Sequence, residues 1–424
     1  MGTFARDLSG CRLLGVLLCS LTFGLPAAAE SLVVRAGRLH TAGPEGTLEN
    51  GVVRIREGLI EDVGSAERVD VPSDARVLEG AVVTPGLIDT HSVVGLNGLD
   101  NVPADQDADE RSGANQAALR AIDGFNPREP GLAWLLRHGV TAVQSGPGEA
   151  NAIGGLAGVF RTHGTSVADM TLRFPSALVM TLGERPKTTY AEAKTAPLTR
   201  MGTAALIRQA FVAASKPDKK KGEAGRDLGK EAIRLALQGE VPTLITARRR
   251  DDIDTALRLA REFSLDLHLA GAVDGYLMAA RLSEAGVPVH VGPVMERLGP
   301  LETLNASFEG PAILAAAGVP ITFRSGFEGY VPKVRVVLFE AAVAAAYGLG
   351  ADRALQALTS DAAESLGVAD RIGSLEPGKD ADLVIWDGDP FEYTTHVLAV
   401  IVRGELAYLR PSGSEPARGA AQSQ

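Results

Sequence analysis

The side chains best suited to chemistry stand at the ends of apolar runs. Asp89 and His91 follow the first half of the stretch 82–96, VVTPGLIDTHSVVGL, which is apolar and β-branched and is interrupted by Pro85-Gly86. A strand that enters a barrel and delivers polar side chains at its C-terminal mouth has this pattern. Arg248 comes just after the apolar run 241–245, and Arg324 just after 320–323. An arginine in a cavity calls for an anion, either a small ligand or an internal carboxylate. Asp89, Glu149, Asp274 and Glu328 are the carboxylates near these positions. Two arrangements stay open: a structural set of guanidinium–carboxylate pairs, or an anionic small ligand held by Arg248 and Arg324. His290, in PVHVG at 288–292, is placed to point into a barrel. His91 and His290 with one carboxylate could hold a single divalent metal.

The elements that must position these groups form two textures. Residues 31–79 are a string of short β segments, with a hairpin around Glu57-Gly58, and β texture returns at 381–386, 397–402 and 404–409. The two ends are expected to pair into one small β-sandwich. Between them strand and helix alternate, which implies a parallel sheet or barrel. Strands are expected at 140–143, 177–181, 243–246, 265–269, 287–291 and 320–323. Helices are expected at 200–214, 230–237, 251–263, 275–285, 312–317, 333–347 and 354–366. The segment 146–155, GPGEANAIGG, lacks the spacing and lysine of a phosphate loop and is read as a flexible barrel loop. The acidic stretch 100–110 lies at the barrel's C-terminal face and is read as a solvated loop, as is the charged stretch 216–225.

At 424 residues the chain can hold one large domain and a smaller one. Its formal charge of −10 argues against nucleic acid or an anionic membrane surface as partner. Residues 1–29 carry Arg6 and Arg12, an apolar core at 13–25 and Ala27-Ala28-Ala29, the layout of a cleaved secretory signal. The apolar run is shorter than the roughly 20 residues a membrane span needs, so no stable insertion is expected after cleavage. Cys11 and Cys19 both lie in this segment, which leaves the mature chain without thiol chemistry. A secreted or periplasmic location follows, and the Ser/Gly/Ala-rich stretch 411–424 reads as a disordered tail.

Several segments resemble the amidohydrolase superfamily, in particular its imidazolonepropionase-like branch. PGLIDTH at 85–91 is similar to the superfamily's first barrel strand, PGLIDxHxH, and RIGSLEPGKDADLV at 371–384 matches its return strand; GERPK at 183–187 resembles a GENPK segment of the branch. The likeness covers most of 31–410. It implies a (β/α)8 TIM-type barrel at 81–367, with a β-sandwich built from 30–80 and 368–410. It also implies hydrolysis of non-peptide C–N bonds, of cyclic amide or imide type, by a metal-activated water, with Zn, Mn or Fe as the single divalent ion. The ligand positions are largely substituted. Val93 replaces the second histidine, Thr246 and Arg248 stand where relatives read HAH, Gly271 and Gly326 stand where a histidine and an aspartate are expected, and Val179 stands where relatives often carry lysine. His268 lies three residues before Gly271, and that odd offset turns it to the other face of its strand, among helices. The residues therefore leave two functions open: an exported hydrolase with a degenerate metal site, or a catalytically inactive, metal-free barrel that binds a small anion or a partner. A small-molecule ligand at the barrel mouth is common to both, a homo-oligomer is compatible with both, and no residue is assigned a catalytic role.

Overall fold

The computed structural model describes residues 31–99, 102–217, 226–296, 301–326 and 336–411. The leader at 1–29, the tail beyond 411, the centre of the charged loop and Glu328 lie outside the described residues. Among the described residues no helix is long and apolar enough to cross a membrane.

Strands β1 (Leu32–His40), β2 (Thr47–Arg56), β3 (Leu59–Ser65) and β4 (Arg76–Pro85) come from the N-terminal part. They join β13 (Leu383–Trp386), β14 (Val397–Val402) and β15 (Glu405–Leu409) in one seven-stranded sheet, ordered β15-β14-β13-β4-β1-β2-β3. The seam between the chain ends is the β4–β13 pair, with Val83 opposite Ile385 and Pro85 opposite Leu383. Val34, Val53, Val83, Leu383 and Ile385 alternate toward one buried cluster, the period-two pattern of a strand with an apolar face.

The second sheet has eight strands: β5 (Leu87–Ser92), β6 (Val140–Ser145), β7 (Ile153–Arg161), β8 (Thr171–Thr181), β9 (Thr243–Ala247), β10 (Leu267–Gly271), β11 (Val289–Val291) and β12 (Ile321–Phe323). A parallel bridge between Ser92 and Gly326 brings β12 back to β5 and closes the barrel. The expected barrel is observed, and the part expected as a β-sandwich from both termini is a single seven-stranded sheet among the described residues. The barrel departs from a strict (β/α)8 repeat at one strand: β7 runs antiparallel to both β6 and β8. The first three residues of that strand, 153–155, fall in the stretch expected to be loop. Its glycines at 154, 155 and 158 lower strand propensity and hide the apolar pattern. All nine of its residues are nevertheless buried.

The stretch 82–92 serves both sheets, ending β4 at Pro85 and beginning β5 at Leu87. Gly86 makes the crossing possible, because a Cβ there would lie 2.0 Å from Thr141 Oγ1 on β6. Helices cover the barrel by their apolar stripes; in Arg250–Phe263, Ile253, Ala256 and Leu257 are buried at helical spacing.

Candidate functional site

The C-terminal ends of the barrel strands deliver the site. At the end of β5, Asp89 and His91 are both buried. Asp89 Oδ1 accepts the Ser325 amide at 3.0 Å and the His91 amide at 3.2 Å, and its Oδ2 accepts the Ser325 hydroxyl. Burial raises the Asp89 pKa to about 6 against these bonds. Burial also lowers His91 to about 3, with the Arg324 cation adding to the effect, so its imidazole is neutral near pH 7. Neither ring nitrogen of His91 has a hydrogen-bond partner among the described residues. Val93, in the place of a second histidine, packs with Leu96, Ala108 and Ala121.

Arg248, one residue past β9, and Arg324, one past β12, converge on a single carboxylate, Glu149. Arg248 Nη1 lies 2.8 Å from Glu149 Oε2, and Arg324 Nη2 donates to Glu149 Oε1 at 3.1 Å. Arg324 Nε donates to the Gly292 carbonyl at 2.9 Å, while its Nη1 has no partner among the described residues. Arg248 Nε faces Glu296 Oε1 at 3.3 Å. Burial pushes the Glu149 carboxyl up, but Arg248 and then Arg324 outweigh it and hold its pKa at about 2. The two guanidiniums differ. Burial works against the charge of Arg248, yet Glu149 and Glu296 overcome it and the pKa rises. At Arg324 burial prevails, with the Arg248 charge adding to it, and the pKa falls. An arginine does not lose its proton under ordinary conditions, so Arg324 is the cation left with unspent positive potential.

The glycines at 271 and 326 make room for this arrangement. A Cβ on Gly271 would lie 3.3 Å from Arg324 Nη2 and 3.6 Å from Arg248 Cγ; one on Gly326 would lie 3.4 Å from Arg324 Cζ. Both glycines have positive φ, 81° and 70°. The missing side chains at these two positions and the large one at 324 are therefore complementary in volume.

Glu149 is held from both sides by the acidic stretch after β5. The Gly148 amide donates to the Ala108 carbonyl at 2.9 Å, the Ala150 amide to Asp109 Oδ1 at 3.0 Å, and Asn151 Nδ2 to the Glu110 carbonyl at 2.8 Å. The segment 146–155 is buried throughout, not the flexible loop expected. The acidic stretch is likewise its clamp as well as a solvated loop. Alternating glycine and small polar residues concealed this, because backbone hydrogen bonds leave no side-chain signature.

Of the expected carboxylates among the described residues, Glu149 is the one that pairs with Arg248 and Arg324. Asp89 turns to Ser325. Asp274 accepts from the Arg250 amide at 3.1 Å and from Asn305 Nδ2 at 2.9 Å. Glu296 joins the cluster, and sequence reasoning missed it because it lies beyond a three-residue strand in an irregular loop. His290 is buried in the barrel but faces His268, its Nε2 3.1 Å from His268 Nδ1. His268 thus shares a cluster with His290 instead of packing only among helices. Among the described residues no group of three or more His, Cys, Asp or Glu could hold a metal ion.

Comparison with known proteins agrees with this frame. A model of the amidohydrolase family matches residues 317–407. The crystal structure of an amidohydrolase from Thermotoga maritima MSB8 superposes with a TM-score of 0.83 at 32% identity, covering 89% of this chain and all of that one. An imidazolonepropionase of Rhizorhabdus wittichii is 29% identical over 395 residues, 83% of this chain and 92% of that protein. The amidohydrolase tasK of Hapsidospora irregularis is 29% identical over 85% of this chain, which spans only 40% of that protein's length. The chain belongs to the amidohydrolase superfamily, a hydrolase superfamily, and within it is imidazolonepropionase-like.

Proposed function

We propose that this protein is a member of the superfamily whose barrel mouth binds a small polar molecule without a catalytic dication. The observation that carries this reading is the Arg324 guanidinium, which lies against Gly271 and Gly326 and is paired with Glu149. A divalent ion would need three or more oxygen or nitrogen donors there. The charged neighbours of His91 are instead the Arg324 guanidinium, which would repel the ion, and the Glu149 carboxylate, which Arg324 and Arg248 already occupy. The donor set does not fit the metal.

The groups left free define the ligand. Arg324 Nη1 is a charged donor without an acceptor, and the neutral His91 ring can donate from one nitrogen and accept at the other. A small molecule presenting a carbonyl or carboxylate oxygen to Arg324 and a polar hydrogen to His91 satisfies both. One observation favours the second reading, hydrolysis of a non-peptide C–N bond. Arg324 Nη1, a charged donor without a partner among the described residues, could polarise a carbonyl held beside the His91 ring.

Thermal-shift screening of small carboxylates and cyclic amides against the wild type and Arg324→Met tests the binding reading. Stabilisation lost in the variant supports it; stabilisation retained in the variant overturns it. Turnover of a cyclic amide, abolished in His91→Asn, would promote the second reading. Metal analysis is the companion measurement, and one equivalent of metal that disappears in His91→Ala would overturn the metal-free assignment. Export is proposed from residues 1–29. A mature N-terminus at Glu30 in secreted or periplasmic protein is the expected result, and an intact Met1 the contrary one.

A further inference from the structure

At the opposite, N-terminal end of the barrel the chain opens a cavity of about 650 Å³. Pro242, Pro288 and Pro320, which precede β9, β11 and β12, lie in its wall, and His268 and Ser365 reach its surface. The Arg248–Glu149–Arg324 cluster takes no part in it. Behind His268 stands His290.

Three donor atoms meet here. His268 Nδ1 and His290 Nε2 are 3.1 Å apart, and Ser365 Oγ is 3.4 Å from the first and 3.3 Å from the second. They form a nearly equilateral triangle. Ligands about 2.0 Å from a tetrahedral ion stand about 3.3 Å from one another, so this triangle has the dimensions of one face of such a site.

His268 Nε2 faces Asp266 Oδ1 at 3.8 Å, which favours a proton on that nitrogen and leaves Nδ1 as an acceptor toward the triangle. Among the described residues His290 Nδ1 has no hydrogen-bond partner, so the ring's proton can move there when an ion takes the Nε2 lone pair. A carboxylate behind one imidazole is also the usual outer partner of a metal-bound histidine. Glu240, Asp361 and Glu364 line the cavity together with Arg173 and Arg353, and Arg353 is paired with Asp361.

We propose that His268, His290 and Ser365 form a binding site for a divalent transition-metal ion of the zinc class, its fourth position open to the cavity. Imidazole nitrogen selects such ions over magnesium or calcium. The site is independent of the barrel-mouth reading.

The test is titration of chelator-treated, purified full-length protein with Zn²⁺, and with Co²⁺ read by its visible absorption. About one equivalent is expected, with the strong absorption of tetrahedral cobalt. His268→Gln and His290→Gln should each abolish uptake, Ser365→Ala should weaken it, and His91→Ala should leave it unchanged. Circular dichroism of each variant confirms that it is folded. If either glutamine variant fails to fold, weakened cobalt uptake in folded Ser365→Ala carries the test, and uptake unaltered in it overturns the proposal. No uptake by the wild type, or uptake unaltered in the His268 and His290 variants, overturns the proposal. Uptake lost in His91→Ala instead would place the ion at the barrel mouth and overturn both this site and the metal-free reading.

Discussion

Arg324 and Glu149 lie 175 positions apart in the chain and meet at 3.1 Å in the barrel, both essentially without solvent contact. Glu149 also takes Arg248, so one carboxylate joins the ends of β9 and β12. Breaking a buried pair leaves an uncompensated charge, which costs about 3–5 kcal/mol. Arg324→Met is expected to destabilise by that order, read as a lower urea midpoint. Arg324→Met combined with Glu149→Gln should cost less than the sum of the singles.

Complementary volume at the glycines gives a second expectation. Gly326→Asp puts a side chain where Arg324 Cζ lies within 3.4 Å of the new Cβ, at a φ of 70°. It should destabilise by about 1–3 kcal/mol. Part of that loss should return in a double variant with Arg324→Ala. A double variant as unstable as the two losses added would refute the steric link.

Acid stability follows from His91 and Glu149. His91 titrates at 6.5 when unfolded and near 3 when folded. Between these values the unfolded chain binds the extra proton, so stability falls as pH falls from 6.5 toward 3. Glu149, held at about 2 against 4.5, adds a further loss below pH 4.5. His91→Asn should flatten the slope between pH 6.5 and 4.5, as measured by urea unfolding at stepped pH. Asp89 acts in the opposite sense. Its folded value of about 6 exceeds the unfolded 3.8, so its contribution is full below 3.8 and is lost as pH rises through 6. Asp89→Asn should therefore gain stability relative to the wild type as pH rises through that window.

A fourth expectation concerns the return-strand motif. Arg161, at the end of β7, is buried and pairs with Asp380 Oδ2 at 2.5 Å and with Asp382 Oδ2 at 3.4 Å. The two aspartates of GKDAD thus fasten the barrel to the terminal sheet. Arg161→Met takes the cation from buried Asp382, while Asp380 keeps Arg371 at 2.8 Å, and should cost about 3–5 kcal/mol. A change below about 1 kcal/mol in thermal unfolding would contradict this.

The barrel, the sheet from both termini and the position of Arg248 and Arg324 at strand ends could be read from residue order, because strand–helix alternation and charged strand ends are local signals. What stayed hidden was non-local or carried by the backbone. β7 is rich in glycine, and Glu149 is positioned by amide groups of residues 148 and 150. Glu296 enters from an irregular loop. The partnership of His268 with His290 depends on how far β10 and β11 are staggered, and a period-two count along one strand cannot supply that.

The β4–β13 seam has a consequence for how the molecule is made. Val83 finds its neighbour at Ile385, 302 positions later in the chain. The terminal sheet cannot be completed until that segment has emerged, and β4 runs straight into the first barrel strand. Pairings of such long sequence separation form slowly. The nascent protein therefore has no finished edge for β4 until β13 is made, and the joining of sheet and barrel waits on that strand.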